Sequence, residues 1–117
     1  MANPNTNATR LRVYFAEDDT YKGRHLHEVL IEHAMRLKLA GATLQRAVAG
    51  FGAKSVLHTS RILNLAESLP LVLEIIDAEE RITAFMPFVE EVLEEGLVTL
   101  DAVEIRLYRH RDTKDGA

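Results

Sequence analysis

The chain has 117 residues, 47% of them hydrophobic, which is enough to build one domain around a single core and too few for two. Fourteen Lys and Arg against eighteen Asp and Glu leave a formal net charge of -4, and there is no cysteine. These features argue against a nucleic-acid binder, a disulfide scaffold, a thiolate zinc site or a cysteine nucleophile.

Residues 1–9 carry neither a basic flank nor an apolar run, so no signal peptide is expected. Charges interrupt every apolar segment before it reaches the roughly 20 residues that span a bilayer, and a soluble, cytoplasmic protein is expected. Residues 1–9 and 112–117 read as disordered tails around one domain at 10–111.

From Arg10 the pattern alternates, with Leu11, Val13 and Phe15 on one side and Arg12 and Tyr14 on the other, the period of a half-buried strand. Glu17-Asp18-Asp19-Thr20 breaks the run, and Leu26, Leu30, Ala34 and Leu37 recur at helical spacing, predicting a helix over about 21–39. The acids read as helix-capping groups, with a divalent-ion site or a general base as the competing role. After Gly41, residues 43–49 read as the second strand. The apolar run 71–76, which follows Pro70, reads as a central third strand.

Asp77 and Glu80 have the spacing of a capping box, and Ile82, Phe85, Met86, Val89 and Leu93 form an apolar stripe, predicting a second helix over about 78–95 with a kink or break at Pro87. Val103, Ile105 and Leu107 alternate with Glu104, Arg106 and Tyr108 in a last strand after Gly96. Two strand–helix–strand units joined by 50–69 define an α+β class, the ferredoxin-like βαββαβ plait, a four-stranded antiparallel sheet with two helices on one face. The other sheet face then needs a cover, most simply identical subunits.

The connecting segment holds the candidate binding groups. Gly50 and Gly52 let backbone amides approach an anion, Lys54 and Ser55 add a charge and a hydroxyl, and His58, Thr59 and Arg61 follow. A plain glycine turn and a hydrogen-bonded loop are the competing descriptions. The run is not a Walker A loop, because Val48 and Ala53 stand where that motif needs glycine, and Ser55 breaks a dinucleotide fingerprint. Arg106, read as lying inside the last strand, is a further candidate for an anion in a neighbouring cleft. His25, His27 and His33 would fall on different faces of a helix, so no metal site is expected, and Glu90, Glu91, Glu94 and Glu95 read as a solvated helix face. No nucleophile with an adjacent base is evident, which argues against an enzyme.

The segment Gly50-Phe51-Gly52-Ala53-Lys54-Ser55, then His58-Thr59, then Leu69-Pro70 resembles the region around the flexible loop of PII signal-transduction proteins. Residues 12–108 as a whole are similar to a PII-like group, domain-of-unknown-function family 190 (DUF190), through Glu17-Asp18-Asp19, Tyr21-Lys22-Gly23 and Glu95-Gly96-Leu97-Val98-Thr99-Leu100. The resemblance to PII implies a homotrimer with a nucleotide or similar anion in the intersubunit clefts and a loop that reports occupancy to a partner. It implies no resident cofactor, with an adenine nucleotide the leading ligand. Two departures stand out: residues 50–69 offer no tyrosine for uridylylation, and Leu97 to Leu100 replace the lysines that PII proteins place after the corresponding glycine. A constitutive structural or interaction subunit with no ligand role, for instance one serving a membrane transport protein, is the alternative function.

Overall fold

Burial alternates along the first strand, β1 (Ala8–Ala16), with Leu11, Val13 and Phe15 buried and the residues between them half-buried. The computed structural model describes residues 8–48, 50 and 68–111. The strand starts at Ala8, inside the tail expected at 1–9, because Ala8 and Thr9 find ladder partners in two neighbouring strands. The rest of that tail and residues 112–117 lie outside the described residues.

The chain then makes a small hairpin, β2 (Thr20–Tyr21) and β3 (Arg24–His25). Lys22 and Gly23 at its tip have φ of 51° and 83°. Positive φ at both central residues is the signature of the turn whose twist matches a two-residue hairpin. Helix α1 (Leu26–Arg36) therefore begins five residues later than its periodicity predicts, and Leu26, Leu30 and Ala34 form its buried stripe.

Strand β4 (Thr43–Arg46) is short, and strand β5 (Pro70–Ala78) extends the expected 71–76 at both ends. Helix α2 (Glu79–Val92) buries Ile82, Phe85, Val89 and Val92, and it passes through Pro87 without ending. Pro87 and Thr83 both lie on the exposed side, so the Thr83 carbonyl that loses its intrahelical partner can turn to water. The last strand, β6, is Leu97–Val103, and residues 104–108 stand outside it, a correction to the predicted strand.

Four strands form one sheet in the order β4-β5-β1-β6, antiparallel throughout. This is the ferredoxin-like plait. One core unites Leu11, Val13, Phe15, Leu71, Leu73 and Ile75 with the apolar stripes of both helices, which places the helices on one face. His33 of α1 stacks on Phe88 of α2 with ring centroids 3.8 Å apart and an interplanar angle of 9°, pinning one helix to the other.

The opposite face is mixed rather than wholly apolar, with exposed Leu97 beside Tyr14 and charged pairs across the strands. Arg10 meets Asp101 through two hydrogen bonds of 3.1 and 2.7 Å, and Arg12 meets Glu74 at 2.9 Å, both across paired strands. Tyr14, Val72 and Ile76 lie half-buried among these ion pairs. Cross-strand charge pairs keep this face compatible with water. No described helix is long and apolar enough to cross a membrane.

Candidate functional site

The β4–β5 connection, where the sequence places its candidate binding groups, starts and ends at the turn that follows β1. The Glu17 amide donates to the Leu69 carbonyl at 2.9 Å, and the Ala47 amide donates to the Pro70 carbonyl at 2.9 Å. The Glu17 carboxylate accepts from Arg46 Nη1 at 2.9 Å and, at 3.5 Å, from the Leu69 amide. Next to it the Ser68 hydroxyl donates to Asp18 Oδ1 at 2.9 Å and accepts from the Asp18 amide at 3.1 Å. One two-residue acidic turn thus holds both ends of the connection.

The hydrogen bond from Arg46 holds the Glu17 carboxyl below the usual glutamate range; desolvation opposes it, and the Leu69 amide, the charge of Arg46 and the field of His27 add to the lowering. Asp19 Oδ2 accepts from the Ala16 amide at 3.0 Å, and its carbonyl accepts from the Leu26 amide at 2.9 Å. The N-cap of α1 is His25 rather than one of the Glu17-Asp18-Asp19 acids, because the β2–β3 hairpin intervenes; Asp19 meets the first amide of α1 through its carbonyl, and Glu17 and Asp18 hold the base of the connection.

Gly50 sits at that base. Its φ is +157°, and a Cβ there would come within 3.3 Å of Pro70 Cγ, so the backbone runs close to the start of β5. Gly52, Lys54, Ser55, His58, Thr59 and Arg61 lie outside the described residues.

Arg106 is exposed and follows the end of β6 rather than lying inside a strand. Val103 pairs with Ala8, whereas Pro70 pairs with Ala16. The elements that carry Arg106 and Gly50 therefore leave the sheet at opposite ends of β1, which are about 25 Å apart at the usual strand rise.

The second polar cluster joins the two helices. Asp77 Oδ1 accepts from the Ala78 amide at 2.7 Å, and Oδ2 accepts from the Ala40 amide at 2.8 Å and Arg81 Nε at 3.1 Å. Arg81 also donates to the Leu37 and Lys38 carbonyls at the end of α1. Burial raises the Asp77 pKa, but the two amides and Arg81 outweigh it and hold the carboxyl below its ordinary value. The expected capping box does not form. Ala78 is the N-cap and has no side-chain bond, while Asp77 bridges back to the α1–β4 connection.

His25 and His27 stack at 5.3 Å, contrary to the expectation that they diverge, because His25 belongs to β3 rather than to the helix. Among the described residues no group of three or more His, Asp or Glu is placed to hold a metal ion. Sequence reasoning missed Arg46 and Ser68. Neither sits in a motif, and only the sheet order brings them to the turn after β1.

The plait and the turn-anchored connection define the class as a small α+β domain with an anchored β4–β5 connection. The chain belongs to the DUF190 family, described as "Uncharacterized ACR", whose model matches residues 8–105. It is 39% identical over 97 residues to a UPF0166 protein of Aquifex aeolicus (strain VF5), covering 81% of this chain and 90% of that one. It is 29% identical over 91 residues to a UPF0166 protein of Methanocaldococcus jannaschii, covering 77% and 83%.

Proposed function

We propose that the protein is a PII-like regulator rather than an enzyme. A small anionic metabolite, with an adenine nucleotide the leading candidate, binds in clefts between the copies of a homotrimer. The β4–β5 connection then carries occupancy to a partner protein. The observation that supports this reading is the anchorage at Glu17 and Asp18. Both ends of the connection are tied to a turn contiguous with central strand β1, so a ligand that reorders the connection acts on a fixed base. Gly50, Gly52, Lys54, Ser55, His58, Thr59 and Arg61 are the groups assigned to the anion, and Arg106 would serve it from a neighbouring copy.

Native mass spectrometry of the full chain with a nucleotide panel tests this. The expected result is a three-fold assembly, a single trimer or a pair of trimers, that retains an adenine nucleotide, with Lys54→Ala weakening binding about tenfold to a hundredfold, the loss of one charge-assisted contact. If the parent binds no anion in the panel, the regulator reading fails and a constitutive interaction subunit takes its place. If Lys54→Ala binds as well as the parent, the anion does not use this segment.

A further inference from the structure

The strongest strand pattern at the end of the chain falls on residues that form no strand. Residues 104–107 alternate charged and apolar side chains and Tyr108 follows in the same period, yet 104–108 leave the sheet after Val103 with a bend at Arg106. The outer edge of β6 is bare, since β6 ends the sheet and pairs only with β1 among the described residues. Leu107 and Tyr108 are 66% and 63% exposed, and four of the seven large apolar side chains exposed among the described residues fall between 97 and 108.

The order of residue types in Asp101-Ala102-Val103-Glu104-Ile105-Arg106-Leu107-Tyr108-Arg109 is self-complementary. Laid antiparallel on a copy of itself about Ile105, it sets Asp101 opposite Arg109, Ala102 opposite Tyr108, Val103 opposite Leu107 and Glu104 opposite Arg106. Directly opposed residues of an antiparallel pair share a face. One face of the pair is then an apolar row of Val103, Leu107 and Ile105 closed at each end by an Asp–Arg pair. The other face carries two Glu–Arg pairs, with each tyrosine over an alanine. A parallel pairing in register would oppose Glu104 to Glu104 and Arg106 to Arg106, a repulsive arrangement.

We infer that residues 101–109 form an antiparallel two-fold contact with a second copy of this chain, the β6 edge of each copy receiving the extension of the other. The occupant is fixed by charge order, and the contact continues an existing strand. It joins two sheets into one by pairing the end of β6, residues 101–103, with residues 107–109 of the other copy. Asp101, whose two oxygens each accept from Arg10, then also faces Arg109 of the second copy. A two-fold contact makes even-numbered assemblies, a dimer or a pair of trimers. It stands or falls independently of any ligand in a three-fold cleft.

The test uses two single variants of the full chain, Glu104→Arg and Arg106→Glu. Both positions are exposed and outside the sheet, so the fold persists, as far-UV circular dichroism will show. Each variant alone opposes like charges across the two-fold axis, and the even-numbered assembly is expected to weaken about a hundredfold or more. Sedimentation equilibrium then reads half the parent mass. In an equimolar mixture one variant presents arginine at both positions and the other presents glutamate at both. Every opposed pair between unlike copies is then of opposite charge, so mixed assemblies of the parent mass re-form. A parent of odd stoichiometry, a Glu104→Arg variant of unchanged mass, or a mixture that stays dissociated would each overturn the inference.

Discussion

Replacing Asp77 with Ala removes the one acceptor that ties the end of α1, the end of β5 and the start of α2 together. The carboxylate is 11% exposed and accepts three hydrogen bonds, from Ala40, Ala78 and Arg81. Hydrogen bonds to a charged group contribute about 1.5–3 kcal/mol each, but Ala40 and Arg81 can turn to water after the substitution. The Ala78 amide, at the half-buried end of β5, has less access to water. The expected loss is therefore about 2–3 kcal/mol rather than the sum of three bonds, with Asp77→Asn losing less because one oxygen acceptor remains.

Urea denaturation at fixed protein concentration measures this loss, and the melting temperature should fall by more than about 8 °C at 4–8 °C per kcal/mol. The contribution also has a pH signature. Because the folded carboxyl lies below its unfolded value of 3.8, its stabilisation is fully present above that value and is lost as pH falls through the folded pKa. The gap between parent and Asp77→Ala should close in acid. A variant within about 0.5 kcal/mol of the parent at neutral pH, or a gap that persists unchanged in acid, would refute the reasoning.

Gly96→Ala should destabilise the fold by about 2–4 kcal/mol, since its φ is +150° and the new Cβ would lie 2.4 Å from the Tyr14 carbonyl oxygen. Thermal melting checks this, and an unchanged midpoint contradicts it. Arg46→Ala should raise the Glu17 pKa toward the ordinary glutamate range, because the Arg46 hydrogen bond is the largest cause of its depression. A side-chain carboxyl NMR titration reads that directly, and a Glu17 midpoint that does not move would show that the anchorage of the connection rests on other groups.

The elements that bury one face were legible because burial imposes a period. Leu11, Val13 and Phe15, three of the four residues in the stripe Leu26, Leu30, Ala34 and Leu37, and the apolar run 71–76 fell where their spacing predicted; Leu37 lies past the end of α1 and is exposed. The last strand did not, and the reason is physical. Leu97-Val98-Thr99-Leu100 has weak alternation, and its place comes from pairing with β1, a long-range choice that no local pattern encodes. The clear alternation of 103–108 marks a strand that this chain alone does not complete. The start of α1 was misplaced because Lys22-Gly23 carried a hairpin-turn signal that a helical reading of 21–39 overrode. At the site, the acidic run after β1 was visible, but its work was not. Glu17 acts on Arg46 and Leu69, and Asp18 on Ser68, residues brought near by the sheet order.

Anchoring the β4–β5 connection at its two ends has a consequence for how the protein can diverge. With Ala47 bonded to Pro70 and Glu17 to Leu69, strand pairing is secured before the intervening chain is reached. Between two such fixed points, the closure entropy of a flexible segment grows only by about 0.6 kcal/mol for each doubling of length. Segments of different length and chemistry can therefore be carried on the same plait without a new core. The scaffold works as a socket, in which recognition can change while the strands beneath keep their register.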